Sequence, residues 1–197
     1  MTRRIASIVE GYGEVEALPV VLRRLLHEKM ECFDVDVLPP WRLPKSAMLN
    51  RSGELQRVAQ ANRIKAGPDG LVLLLIDADD DLPCVLAPDL QRQLRAAVEP
   101  PHAVVVACSE FETWFLASAE ALAGSRGLPT DLVAPDAPES IRDAKGWLKL
   151  KLPHTRPYSP TSDQAAYAAR IDLDAAREKA SSFDKLWREI ARWARTD

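Results

Sequence analysis

The sequence predicts an α/β fold: a mainly parallel sheet of about four strands flanked by helices, with a helical C-terminal extension. Three observations predict it. Leu71–Ile76 and Ala103–Cys108 are unbroken apolar runs, the pattern of strands buried on both faces. Strand-like and helix-like patterns alternate through roughly the first 120 residues, as parallel strands joined by crossover helices require. Acidic residues stand directly behind several predicted strands, where open α/β sheets place their sites.

Ile5–Val9 reads as the first strand, and Glu10-Gly11-Tyr12-Gly13-Glu14 as the turn behind it. Leu18, Val21, Leu22, Leu25 and Leu26 then recur at helical spacing, with Pro19 restricted to a first turn or a kink. Phe33–Leu38 alternates and predicts a second strand. Pro39–Pro44 carries three prolines and reads as a loop that cannot continue a sheet. Arg51–Lys65 is helical, with Leu55, Val58, Ala59 and Ile64 as its inward residues and Gly67 as its stop. The run Leu71–Ile76 follows Gly67-Pro68-Asp69-Gly70. A helix is expected over Pro88–Val98, ended by Pro100-Pro101.

After Cys108 the texture changes. Gly124–Pro138 is loop-like, and Pro138–Leu150 predicts a helix. Two short helices are expected near Asp163–Ala169 and Asp172–Ala180, then a last one from Ser182 to Arg195 with Phe183, Leu186, Trp187, Ile190 and Ala194 as its apolar stripe. The reading divides the chain into an α/β core, residues 1–122, and a mostly helical extension, residues 123–197, packed on it as one unit.

A chain of 197 residues can form one domain with a full core. Its formal charge of −3 argues against a nonspecific nucleic-acid coat protein. The charge is uneven: residues 1–140 carry 14 basic and 21 acidic side chains, residues 141–197 carry 12 and 8. An acidic first part beside a basic tail permits metal chemistry on a phosphate substrate, and is equally the pattern of an ordinary varied surface. The scattered Cys32, Cys84 and Cys108 and the isolated His27, His102 and His154 fit neither a disulfide frame nor a zinc site. No stretch approaches the roughly 20 apolar residues of a membrane span, and Met1-Thr2-Arg3-Arg4 does not open a signal peptide, so a cytoplasmic protein is expected.

The chemistry-bearing residues are carboxylates. Asp77-Ala78-Asp79-Asp80-Asp81 ends the central apolar run, and on extended chain Asp77 and Asp79 would point the same way. Glu10 ends the first strand, with Glu14 one helical turn on. Glu110 and Glu112 follow the strand ending at Cys108. If these strands are neighbours, the acids converge, and like charges so close raise one another's pKa unless a cation neutralises them. Oxygen-only donors suit Mg2+ or Mn2+. Taken singly, each acid also reads as a helix N-terminal residue facing the macrodipole or as a solvated loop residue. Gly11 and Gly13 lack the third glycine of a dinucleotide fingerprint and the Gly-Lys-Ser/Thr of a Walker loop, and read as a tight turn that lets backbone pass close to a metal or phosphate.

In the tail, Lys145, Lys149, Lys151, His154 and Arg156 cluster around Trp147 and Tyr158. They read either as phosphate contacts with a ring available to stack on a base, or as a solvated face over a core tryptophan. Asp163 reads as a helix cap or as a tie holding the tail to the site.

Val9-Glu10-Gly11-x-x-Glu14 and Asp77-x-Asp79 resemble the Toprim domain shared by topoisomerases, primases, small maturation ribonucleases and OLD-type nucleases. The whole chain is similar to a bacterial family of small stand-alone Toprim-like proteins of undetermined function, through Glu112-x-Trp114-Phe115-Leu116-Ala117, Lys145, Tyr158-x-x-Thr161-x-Asp163, Ile171-Asp172 and Ser182-Phe183. The resemblance implies a Rossmann-like Toprim core with four parallel strands. It implies Glu10 as general acid/base, Asp77 and Asp79 as Mg2+ ligands, Glu14 as the additional acid of OLD-like variants, and Glu112 as a further ligand. Acids follow Ser109 where one nuclease subgroup places a basic residue, so a basic partner must come from elsewhere.

The function expected is Mg2+- or Mn2+-dependent phosphodiester cleavage of DNA or RNA. Glu10 and Lys145 would be catalytic, Glu10, Glu14, Asp77, Asp79 and Glu112 would hold metal, and Lys149, Lys151 and Arg156 would bind substrate. By resemblance the protein would act in phage defence or repair beside a partner ATPase, since the chain carries no ATPase motif. The alternatives are a non-catalytic metal-binding adaptor or regulatory subunit and, ranked last, nucleotidyl transfer.

Overall fold

Five parallel strands place the carboxyl ends of the central pair, and the residues behind them, on one edge of the sheet. The structure, a computed structural model, describes residues 2–195. The strands are β1 (Arg3–Val9), β2 (Val35–Val37), β3 (Trp41–Arg42), β4 (Leu71–Asp77) and β5 (His102–Ala107). Their order is β2-β1-β4-β5, with β3 also on β1. Ile8 lies opposite Leu74, and Asp77 opposite Ala107. β4 is central and buried at every residue, which is why its sequence is apolar without alternation.

The edge beyond β1 differs from expectation. β2 pairs with Arg3–Ile5 and β3 with Ile8–Val9, so one edge strand is built in two pieces. The reading of Pro39–Pro44 as unable to extend the sheet is overturned at Trp41 and Arg42. Pro39-Pro40 breaks the pairing, but the residues before Pro44 keep their amides, and Leu43 N–H donates to the Val9 carbonyl at 2.8 Å.

The helices are α1 (Tyr12–Arg24, continued by a π-helical turn over Leu25–Lys29), α2 (Lys45–Asn50), α3 (Glu54–Ala66), α4 (Pro83–Ala97), α5 (Thr113–Ala117), α6 (Ala144–Lys151), α7 (Pro160–Ala168), α8 (Leu173–Lys179) and α9 (Ser181–Ala194). Three boundaries correct the sequence reading. Pro19 lies inside α1, beyond its first turn. α4 starts at Pro83, five residues before the expected Pro88, because Pro83 itself occupies the favoured first position. Ile64 is 83% exposed, and Asn62 takes the inward place expected of it, its amide donating to the Val58 carbonyl at 2.9 Å. Positions 55, 58, 59 and 62 share one helical face, while 64 falls on the other.

Alternation along β1, β4 and β5 divides the core in two. Ile8, Leu74 and Ile76 pack with Leu55, Leu90 and Leu94 of α3 and α4. Ile5, Val9, Leu73, Leu75 and Val105 pack with α1, α5 and the extension, including Trp114, Tyr167, Phe183 and Ile190. Each fully buried large apolar side chain contributes about 2 kcal/mol. The extension shares this second cluster: α7 runs against α1, and α9 against β5. Gly13 permits the first of these contacts, since a Cβ there would collide with the side-chain oxygen of Gln164. The expected role of Gly13, close passage of backbone by a metal or phosphate, is in this structure taken by a side chain of the tail. Among the described residues no helix is long and apolar enough to cross a membrane.

Candidate acidic site at the carboxyl edge of the sheet

Because β1, β4 and β5 are parallel neighbours, Glu10, Asp77 and the Glu110–Glu112 segment share one edge. Glu14 joins them from the first turn of α1, where the Gly11 amide donates to its carboxylate. Ser109 adopts a left-handed conformation (φ 58°) that turns the chain after β5 and brings Phe111 N–H to Asp77 Oδ1 at 2.8 Å. Glu110 and Glu112 follow from that turn.

The inner group gathers on Lys145. Its Nζ lies 2.8 Å from Glu110 Oε1, 3.2 Å from Glu112 Oε2 and 3.7 Å from Asp77 Oδ2. Its backbone amide donates to Glu110 Oε2 at 2.9 Å, so one glutamate fixes both ends of the residue. Glu112 is fully buried, and its Oε1 accepts from Tyr158 Oη at 3.0 Å and Gln164 Nε2 at 2.7 Å.

Electrostatics match this crowding. Burial, then the Glu14, Glu112 and Glu10 charges, push the Asp77 carboxyl well above the usual range, with Lys145 opposing. Burial pushes Glu14 up to about 7; the Gly11 amide works against the rise and Glu112 adds to it. Burial and then Asp79 raise Glu10. Burial alone would lower Lys145, but Glu112, Asp77 and Glu110 outweigh it and hold the ammonium charged.

The outer group gathers on Lys45, a residue the sequence reading missed. Its Nζ lies 2.8 Å from Asp79 Oδ2, 3.1 Å from Asp81 Oδ2, and 3.0 and 2.8 Å from the Asp77 and Ala78 carbonyls. The expectation that Asp77 and Asp79 point the same way fails because the strand stops at Asp77 and Asp79 turns left-handed (φ 52°). Asp77 is buried against Phe111, whereas Asp79 is exposed on Lys45. Both groups act on Glu10: Asp79 raises its pKa, and Lys45 and Lys145 lower it.

The remaining expected site residues lie elsewhere. Among the described residues no hydrogen bond or ion pair joins Lys149 or Lys151 to these acids. Lys149 lines a shallow apolar concavity with Ile141, Trp147 and Leu150, and Lys151 Nζ sits 5.0 Å from the centre of the Trp147 ring. Arg156 is bound 2.5 Å from Asp163, so its charge is already answered. Tyr158 is buried and engaged by Glu112, so its ring offers no stacking surface. Asp163 accepts the Ser159 amide at 2.8 Å at the start of α7, as the capping reading expected; its ion pairs with Arg126 and Arg156 join parts of the extension to one another, and not the tail to the acidic site.

The donor set of Glu10, Glu14, Asp77, Asp79 and Glu112 is oxygen-only, as Mg2+ or Mn2+ require. Glu10 Oε2 and Glu112 Oε2 are buried without a hydrogen-bond partner, the second facing only the Lys145 ion pair. These features fit a divalent cation chemically. Among the described residues, however, no three such side chains are arranged around a metal position. Lysines supply the counter-charge.

No sequence signal marked Lys45 or Gln164, whose partners lie more than 30 and 50 positions away in the chain. No curated protein and no solved structure matches the chain. Residues 9–191 match the family described as Domain of unknown function (DUF4276), a span that includes every acid and lysine of the site. The chain belongs to that family.

Proposed function

We propose that the acidic edge is the site of an Mg2+- or Mn2+-dependent phosphodiester-cleaving enzyme, a Toprim-like nuclease. One observation carries the reading: Glu10, Glu14, Asp77 and Glu112, from three strand ends and one helix, interact in a largely buried cluster with one ammonium among them. A purely structural cluster gains nothing from four acids where one lysine is supplied.

Bound there, a divalent cation would polarise a phosphate oxygen and acidify a water. Glu10, Glu14, Asp77 and Glu112 are the residues that would hold it, in competition with Lys145 for the Asp77 and Glu112 oxygens; Asp79, turned onto Lys45, would not join them. Glu10 is half-buried, and its raised proton affinity suits it to take up and return a proton at its carboxylate. Lys145 remains an ammonium, so it stabilises negative charge on a phosphate oxygen and does not act as a base. Nucleic acid is the substrate class, and any ATP dependence would come from a partner ATPase, in defence against phage or in repair.

A second reading has its own observation. Lys45 and Lys145 already answer the acids, as they would in a non-catalytic adaptor that keeps the scaffold. Incubation of the purified protein with plasmid, single-stranded DNA and RNA, in Mg2+, Mn2+ or EDTA, separates the two. The nuclease reading expects metal-dependent cutting that falls at least about 100-fold in Asp77→Asn. Equal inertness of wild type and Asp77→Asn on every substrate rejects it in favour of the adaptor.

A further inference from the structure

Next to the acidic edge, one cation pairs with no acid among the described residues. Arg42, the last residue of β3, lies opposite Val9, one position before Glu10. Among the described residues it forms no ion pair, and its Nε is buried without a hydrogen-bond partner. Its Cζ lies over the Tyr12 ring, 3.9 Å from the ring centre, within the range of a cation–π contact. Tyr12 opens α1 directly behind Glu10-Gly11 and is 65% exposed. Tyr12 thus follows Glu10 by two positions in the chain, and Arg42 lies on the neighbouring strand opposite the residue before it.

An arginine that only stabilised the fold would meet one of the many carboxylates at this edge. Lys45, three residues on, meets two. We infer that Arg42, held by Tyr12, is a substrate-binding residue that takes a phosphate of a single nucleic-acid strand beside the acidic edge of the sheet. Guanidinium is planar and forked, and binds phosphate oxygens in pairs. The aromatic ring fixes the plane of that fork before substrate arrives. This inference rests on the nuclease reading for its ligand class, and extends it to two residues that the motifs of the chain do not mark.

The test is binding of a fluorescently labelled single-stranded oligonucleotide of about 15 nucleotides, followed by anisotropy in EDTA across a salt series. Arg42→Ala should weaken binding about tenfold and lower the slope of log K against log salt by about one. Arg42→Lys should keep the slope and recover only part of the affinity. Tyr12→Leu should weaken binding about threefold. Arg92→Ala, which removes an exposed arginine paired with Asp89 on α4, should bind as wild type. Thermal midpoints equal to wild type establish that the variants fold.

Arg42→Ala within twofold of wild type at an unchanged slope overturns the inference, as does a wild type that binds no strand at all. Because the assay contains no metal, its failure is separable from that of the nuclease reading. Cutting that survives Arg42→Ala in full removes the role of Arg42 and leaves the nuclease. Binding through Arg42 without any cutting removes the nuclease and leaves the phosphate seat.

Discussion

Asp163 and Asp77 are both buried aspartates, yet their surroundings push them in opposite directions. Asp163 is fully buried, and burial disfavours its charge, but the Ser159 amide, Arg156 and Arg126 outweigh that and hold it below the usual range. Asp77 has one amide and a lysine 3.7 Å away, faces three other acids, and is held far above that range. The first carboxylate is satisfied and fastens α7 to the loop around Arg126. The second is left short of positive charge. Burial alone therefore does not single out an acid as a candidate for function; burial without adequate compensation does.

The sharpest way to break this contrast is Asp163→Asn. It should destabilise the protein by about 3 kcal/mol in urea unfolding, because two arginines lose their common partner. Lys145→Met should cost about 2 kcal/mol at pH 8, discounted for the partial exposure of the lysine, and less at lower pH, where Asp77, its pKa raised by burial and neighbouring acids, holds a proton.

Glu14→Gln reverses the sign. The raised pKa of Glu14, about 7, means that the fold favours its neutral form. That contribution is fully present below the ordinary value of 4.5 and is lost as pH rises through about 7. Glutamine imitates the neutral acid, so the variant should gain about 1 kcal/mol at pH 8 and nothing at pH 4, read as the difference in thermal midpoint. Asp163, with its pKa lowered from 3.8, contributes the opposite way: its stability is present above that value and lost as pH falls through the lower folded one. The smallest effect is that of Asp77→Asn, within about 1 kcal/mol of wild type, because the amide oxygen still accepts from Phe111. If Asp77→Asn unfolds the protein while Asp163→Asn does not, the assignment of roles is inverted.

Much of this molecule was legible in its sequence. Leu71–Ile76 and Ala103–Cys108 announced buried parallel strands because a strand covered on both faces has no polar positions to alternate. Glu10, Glu14, Asp77 and Glu112 could be brought together because strand ends in parallel sheets share an edge. What stayed hidden depends on contacts between distant segments. Trp41 and Arg42 pair only because β2 leaves the end of β1 open, and a two-residue strand between prolines has no periodicity to detect. α2 is a six-residue helix, too short for a face to repeat. The separation of Asp79 from Asp77 turns on one backbone angle. Lys149 shares a helical face with Lys145, one turn further along α6, but among the described residues it forms no bond to the acids.

Lys145, Tyr158 and Gln164 all reach the site from the last third of the chain. During synthesis, the sheet and its acids leave the ribosome well before the residues that bond Glu112 and draw Asp77 and Glu110 together. A nascent chain stalled near residue 122 carries every predicted metal ligand but none of those three residues. The contacts that hold the acidic cluster together are therefore complete only once translation has passed into α7.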